Sequence, residues 1–284
     1  MWPFSRKPVV PVLRFTGAIG MVTPLRPGLS ISAVAGSIEK AFNLSKLPSV
    51  AVIVNSPGGS PVQSNLIFKR IRQLAAENNK KVYVFCEDVA ASGGYFLAIS
   101  GDEIYADPSS IVGSIGVISA SFGFVDAIGK LGIERRVYTS GKSKSTLDPF
   151  LPERPDDVAR LQAIQRDVHD VFIGLVKERR AGKLKAPDGE LFNGSFWSGP
   201  RAVELGLIDG IADVRSKMRA LHGDDIRLQL VEPARPGLLT RLKRLTPANV
   251  LEGLESGLDT GGLAFADDLV SAIEVRALWS RYGL

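Results

Sequence analysis

The chain has 284 residues, 45% hydrophobic and 23% charged, the composition of a folded globular protein and too apolar for disorder along its whole length. Its 35 basic and 30 acidic residues leave a net charge of +5, a mild excess that does not by itself argue for nucleic acid, whose binders usually show a clustered basic face, and no nucleic-acid partner is expected. A single cysteine, Cys86, excludes an internal disulfide, and two histidines without nearby cysteines give no metal site of the usual spacing.

The opening stretch "MWPFSRKPVVPVLRF" has neither the ~18 apolar residues of a membrane span nor a signal-peptide core, so the chain is expected to be soluble or peripheral. Runs rich in β-branched and aromatic residues then predict strands over 9–15, 50–55, 81–86, 103–106 and 133–138. Helical patterns over 30–43, 62–78 and 92–100 alternate with them, which predicts an α/β fold with a parallel or mixed sheet. Over 155–180, Val158, Leu161, Ile164, Val168, Val171, Phe172, Leu175 and Val176 keep the spacing of one helix face, with Pro155 suited to the first turn and Gly182 to the exit. This long helix is expected to cover the core or to pack on another subunit. The character changes near residue 226, giving a domain over 1–225 and a proline-broken tail over 226–284. Within that tail "GLLTRLKRL" is amphipathic and basic, suited to docking on the parent domain, a neighbouring subunit or a membrane surface.

The candidate chemistry lies in small-residue blocks. In "AVIVNSPGGSP" an apolar strand runs into Pro57, Gly58 and Gly59, where the backbone can approach a ligand without Cβ interference. In "DVAASGGYFLAIS", Ser92 precedes Gly93, and the amide after a nucleophile commonly serves as an oxyanion donor. The alternative is that both glycine pairs are simple turns and that Ser92 caps a helix. The base distinguishes these readings. His169 is expected on a solvated side of the long helix and His222 at a helix end, so neither forms an evident serine triad. Lysine can serve as a base where burial disfavours its ammonium form, and "YTSGKSKSTLDPF" supplies Lys142 and Lys144.

Five blocks in order, "NSPGGS", "AASGGYFLA", "DPSSIVGSIGVI", "SGKSKSTLDPF" and "FWSGPRAVELGLIDGI", resemble the signal peptide peptidase A family of Ser/Lys peptidases, from about residue 9 to residue 214. The resemblance implies a ClpP/crotonase-like spiral of ββα units with a long covering helix, a single domain that assembles into a homo-oligomeric ring. It implies Ser92 as nucleophile, Lys144 as general base, and Gly59 and Gly93 as oxyanion donors, with Gly58 shaping the turn. Ser114, Ser143 or Ser145 would orient the lysine. In single-domain members the ring brings the serine of one subunit to the lysine of the next. The implied substrates are signal-peptide remnants or other unfolded or membrane-derived peptides, with no cofactor and no metal. The implied place is the cytoplasm, or a peripheral one at the inner face of the cell membrane. Two other functions fit the sequence. A crotonase-like acyl-CoA enzyme would use a carboxylate such as Glu87 or Asp88, and a ring scaffold would cleave nothing.

Overall fold

A computed structural model describes residues 7–20, 28–141, 143–232 and 276–283. The strands are β1 (Val9–Thr16), β2 (Ser49–Ser56), β3 (Lys81–Ala91), β4 (Glu103–Ala106), β5 (Ile111–Gly113), β6 (Phe196–Ser198), β7 (Gly210–Ile211) and β8 (Arg227–Leu230). The helices are α1 (Ile31–Asn43), α2 (Pro61–Glu77), α3 (Gly93–Ala98), α4 (Val125–Lys130), α5 (Pro155–Arg179), α6 (Asp188–Leu191), α7 (Gly199–Glu204) and α8 (Val214–His222). They form one mixed sheet in the order β6-β5-β3-β2-β1-β8, with β4 and β7 branching from β3. This is the α/β architecture expected from the alternating pattern.

The central strands are apolar on both sides because helices cover both faces. On one face α1, α2 and α3 bury Ile38, Phe42, Ile67, Phe68, Ile71 and Leu97 against Val50, Val52, Val54 and Val84. On the other, Met218 of α8 meets Val10, Ala51, Tyr83 and Tyr105.

The strand β3 carries the site. Its first half pairs with β4, Tyr83 to Cys86 opposite Glu103 to Ala106, and its second half pairs with β5, Val89 to Ala91 opposite Ile111 to Gly113. On its other side the register against β2 shifts between Val54 and Ser56. Such a bulge bends a strand and re-aims the residues beyond it. In β3 those residues lead directly to Ser92.

Three local expectations are corrected. Residues 133–138 form no strand: the segment is largely exposed and has no neighbour to ladder with among the described residues, and an isolated strand is not stable in water. Residues 227–230, expected in the tail, form β8 and pair in parallel with β1. The long helix covers the core only with its C-terminal half, where Phe172 and Val176 are buried, while Ile164 and Val171 face outward. The amphipathic stretch over 237–245 lies outside the described residues, as does Lys142.

Between β5 and α5, residues 118–153 form a largely exposed arm, tied to α5 where the Leu147 amide donates to the Asp157 carboxylate. The Phe124 amide donates to the Pro149 carbonyl at 2.7 Å, Phe124 stacks on Phe150 at 5.5 Å, and Arg135 pairs with Asp148 at 3.1 Å. Beyond those contacts the arm exposes Phe122 (77%), Leu131 (74%) and Tyr138 (91%).

Candidate active site

Ser92 sits where β3 breaks sharply into α3, at φ 52° and ψ −122°. A non-glycine residue in that region is strained and persists only where its surroundings hold it. Here the Ser92 amide donates to the Gly113 carbonyl at 2.8 Å, its carbonyl accepts from the Phe96 amide at 2.9 Å, and all six residues of α3 are buried. The side chain makes no cap hydrogen bond to the helix, so the simple helix-cap reading of this serine fails.

The two glycine blocks meet here. Gly58 adopts φ +104°, and a Cβ there would lie 2.8 Å from both the Gly93 nitrogen and the Ser92 Cβ. Gly59 adopts φ +139°, and a Cβ there would lie 2.2 Å from the Ile19 carbonyl oxygen. Only glycine fits either position. The Ile19 amide donates to the Gly58 carbonyl and the Ser60 amide to the Ile19 carbonyl, both at 2.8 Å, which leaves the intervening Gly59 amide out of that ladder. The Gly93 amide lies in the first turn of α3, where N–H groups lack an intrahelical acceptor. The two amides flank the serine.

Ser92 opens onto two cavities of different character. One, of about 170 Å³, is apolar and lined by Val62, Phe96, Val117, Val168, Val171 and Phe172 beside Gly59 and Gly93. Its wall is built where Phe96 stacks on Phe172 at 4.9 Å. The other, of about 390 Å³, is polar and includes Ser114, His169, Asn193 and Arg281.

Among the three serines expected to orient a lysine, only Ser114 lines a cavity with Ser92. It is 5% exposed at φ 53°, with its amide donating to the Ser195 carbonyl at 2.7 Å. Ser143 and Ser145 lie on the arm in one turn with Lys144, whose amide donates to the Gly141 carbonyl at 3.3 Å. Lys144 is exposed and lines neither cavity. His169, expected in solvent, is half-buried with its Nε2 at 3.1 Å from the Ile115 carbonyl. The helical spacing hid this because the contact comes from the loop after β5. His222 ends α8 as expected, 2.9 Å from the Ser49 hydroxyl, and burial lowers its pKa.

The acidic candidates lie elsewhere. Glu87 pairs with Arg14, Asp88 accepts from the Asn55 side-chain NH₂ at 2.6 Å, and neither lines a cavity that Ser92 reaches. The Cys86 thiol is buried and pushed up to about 12 by desolvation, which removes it as a nucleophile. Among the described residues no group of histidine, cysteine or carboxylate side chains could hold a metal, and no helix is long and apolar enough to cross a membrane.

The single mixed α/β sheet, with a strained serine at the strand-to-helix turn beside a cleft, defines the class as an α/β protein of the ClpP/crotonase-like kind. Comparison with known proteins narrows it: the model of peptidase family S49 matches residues 75–224. The chain is similar to the chloroplastic serine protease SPPA of Arabidopsis thaliana, 29% identical over 79% of this chain and 36% of that one. It is similar to protease 4 of Haemophilus influenzae, 30% identical over 63% of this chain and 28% of that one. A Brucella abortus protein named Na(+)/H(+) antiporter NhaA is 53% identical over 97% of this chain, which spans only 37% of that protein's length. The chain belongs to peptidase family S49 and is SppA-like within it.

Proposed function

We propose that this protein is a serine endopeptidase in which Ser92 attacks the substrate and Lys144 of a second copy is the base. The observation that carries the reading is the strained turn at Ser92, open to a two-sided cleft and flanked by the Gly59 and Gly93 amides. The lysine nitrogen takes the Ser92 proton as Oγ bonds to the peptide carbonyl carbon. The carbonyl oxygen becomes an oxyanion held by the two amides. The C–N bond then breaks, the lysine returns the proton to the leaving amine, and water, deprotonated by the same lysine, releases the acyl group.

A second copy is invoked because Lys144 is exposed on an arm whose Phe122, Leu131 and Tyr138 have no cover among the described residues. The polar cavity beside Ser114 has room for a lysine side chain entering from outside. Homo-oligomeric assembly, in a ring as in related peptidases, is thus part of the proposal. So are unfolded or membrane-derived peptides as substrates, including signal-peptide remnants. A place in the cytoplasm, or peripherally at the inner membrane face, is also part of the proposal.

The test is cleavage of a fluorescent unfolded protein by the wild type, Ser92→Ala and Lys144→Ala, with light scattering to follow assembly. Each variant alone is expected to be inactive. Mixed and reassembled, they are expected to regain activity where an intact serine meets an intact lysine. Inactive mixtures of correctly assembled variants would overturn the shared site.

A further inference from the structure

We propose that Arg281 makes the polar half of the cleft a carboxylate-binding subsite, so that the enzyme favours peptides carrying a carboxylate across the scissile bond from their apolar residue. The inference rests on Ser92 being the nucleophile and adds a substrate class to that reading.

The two halves of the cleft differ in kind. The apolar half is walled by valines and phenylalanines, while the polar half holds Ser114, His169, Asn193 and Arg281 and no acidic side chain. The polar groups there are mostly donors left free for a ligand. The Asn193 side-chain oxygen is already engaged by the Ser195 amide at 2.8 Å, which leaves its NH₂ group. His169 directs its Nε2 to the Ile115 carbonyl. Among the described residues Arg281 has no carboxylate partner. A guanidinium presents a planar fork of donors that matches a carboxylate in two parallel hydrogen bonds.

Arg281 is also held in place. Its neighbour Tyr282 is buried with Val89 and Ala91 of β3, the strand that delivers Ser92, and its ring meets Phe196 edge-on at 5.2 Å. The Tyr282 amide closes the turn on the Trp279 carbonyl at 2.9 Å. The backbone bearing the cation is thereby fixed to the same strand as the nucleophile, although Arg281 stands 189 positions after Ser92 in sequence (281 − 92). A lysine entering from a second copy as the neutral base leaves the sign of this cavity's charge to Arg281.

The experiment compares three peptides with the same apolar residue before the cut: one ending shortly after it in a free carboxylate, one ending there in an amide, and one with a glutamate followed by an amide. Wild type and Arg281→Gln are assayed for kcat/KM. Fluorescent versions are titrated against Ser92→Ala with and without Arg281→Gln. The wild type is expected to favour one or both carboxylate peptides over the amide about tenfold, the value of one charge-assisted pair, with the same ratio in binding to Ser92→Ala. Arg281→Gln is expected to bring the ratio to about one. Preference for the free end identifies a chain terminus as the ligand, and preference for glutamate an acidic side chain. A wild-type ratio near one, or a ratio that persists in Arg281→Gln, overturns the subsite. If the wild type cleaves none of the three, the peptidase reading fails, and the binding ratio on Ser92→Ala still decides the role of Arg281.

Discussion

The Tyr95 hydroxyl donates to the Leu207 carbonyl at 2.7 Å across 112 positions of sequence, inside the core. It ties α3, the helix that begins just after Ser92, to the loop between α7 and β7. Tyr95→Phe keeps the ring and leaves that carbonyl unsatisfied, which costs about 1–2 kcal/mol. The expected outcome is a melting temperature lower by several degrees in calorimetry, together with a lower kcat from a less rigid turn. An unchanged melt would mean that the carbonyl finds another donor.

The same loop carries an acid-sensitive clamp. Arg180, 2% exposed, pairs with Asp209 at 2.8 Å, and Lys183 reaches the other oxygen at 2.7 Å. Burial pushes the Asp209 carboxyl up, but hydrogen bonds from Arg180 and Lys183, the Arg180 charge and the Ile104 amide outweigh it and hold the pKa below the usual carboxylate range. A folded-state pKa below the unfolded one adds stability that is complete above the unfolded value, near 4, and is lost as pH falls through the folded value. Asp209→Asn leaves a buried guanidinium without its anion and should cost about 3 kcal/mol at pH 7. In urea unfolding, the gap between wild type and variant is expected to narrow below pH 4.

Gly59→Ala places a Cβ against the Ile19 carbonyl and shifts the amide proposed to hold the oxyanion. Loss of one such donor lowers kcat about 10²- to 10³-fold. Circular dichroism should show the sheet intact, and single-turnover kinetics should put the loss in acylation rather than in binding.

Val171 lines the apolar cavity yet is 61% exposed, so it can be changed without disturbing the core. Val171→Phe is expected to raise KM severalfold for substrates with a large apolar residue at the cut and to affect alanine there much less. Its melting temperature should match the wild type, because surface substitutions usually stay within about 0.5 kcal/mol.

On the arm, Phe122→Glu with Leu131→Glu puts two charges where the chain exposes apolar surface. Light scattering should report dissociation into smaller species, with peptidase activity lost in proportion. Normal assembly with these substitutions would direct the search for the interface elsewhere.

Much of this was legible in the residues. The apolar runs at Val50, Val52 and Val54 and at Val82 and Val84 announced central strands, because both faces of a covered sheet must be apolar. The glycines of "NSPGGS" and "AASGG" announced close backbone approach, and the structure packs Gly58 against Gly93. Short elements left no such trace. With strands of three, three and two residues, β5, β6 and β7 are too brief for a period to emerge, and they form because longer strands offer them partners. Residues 133–138 show the reverse case, with strand-forming residues and no partner strand among the described residues.

Local order along the chain determined the strands, the long helix and the serine between small residues, because periodicity and steric freedom are properties of neighbours in sequence. Tertiary structure alone decided that Ser114 shares a cavity with Ser92 while Ser143 and Ser145 do not, that His169 turns toward Ile115, and that Arg281 stands beside the nucleophile. Each of these depends on segments far apart in the chain packing against one strand, and no local pattern encodes where that packing ends.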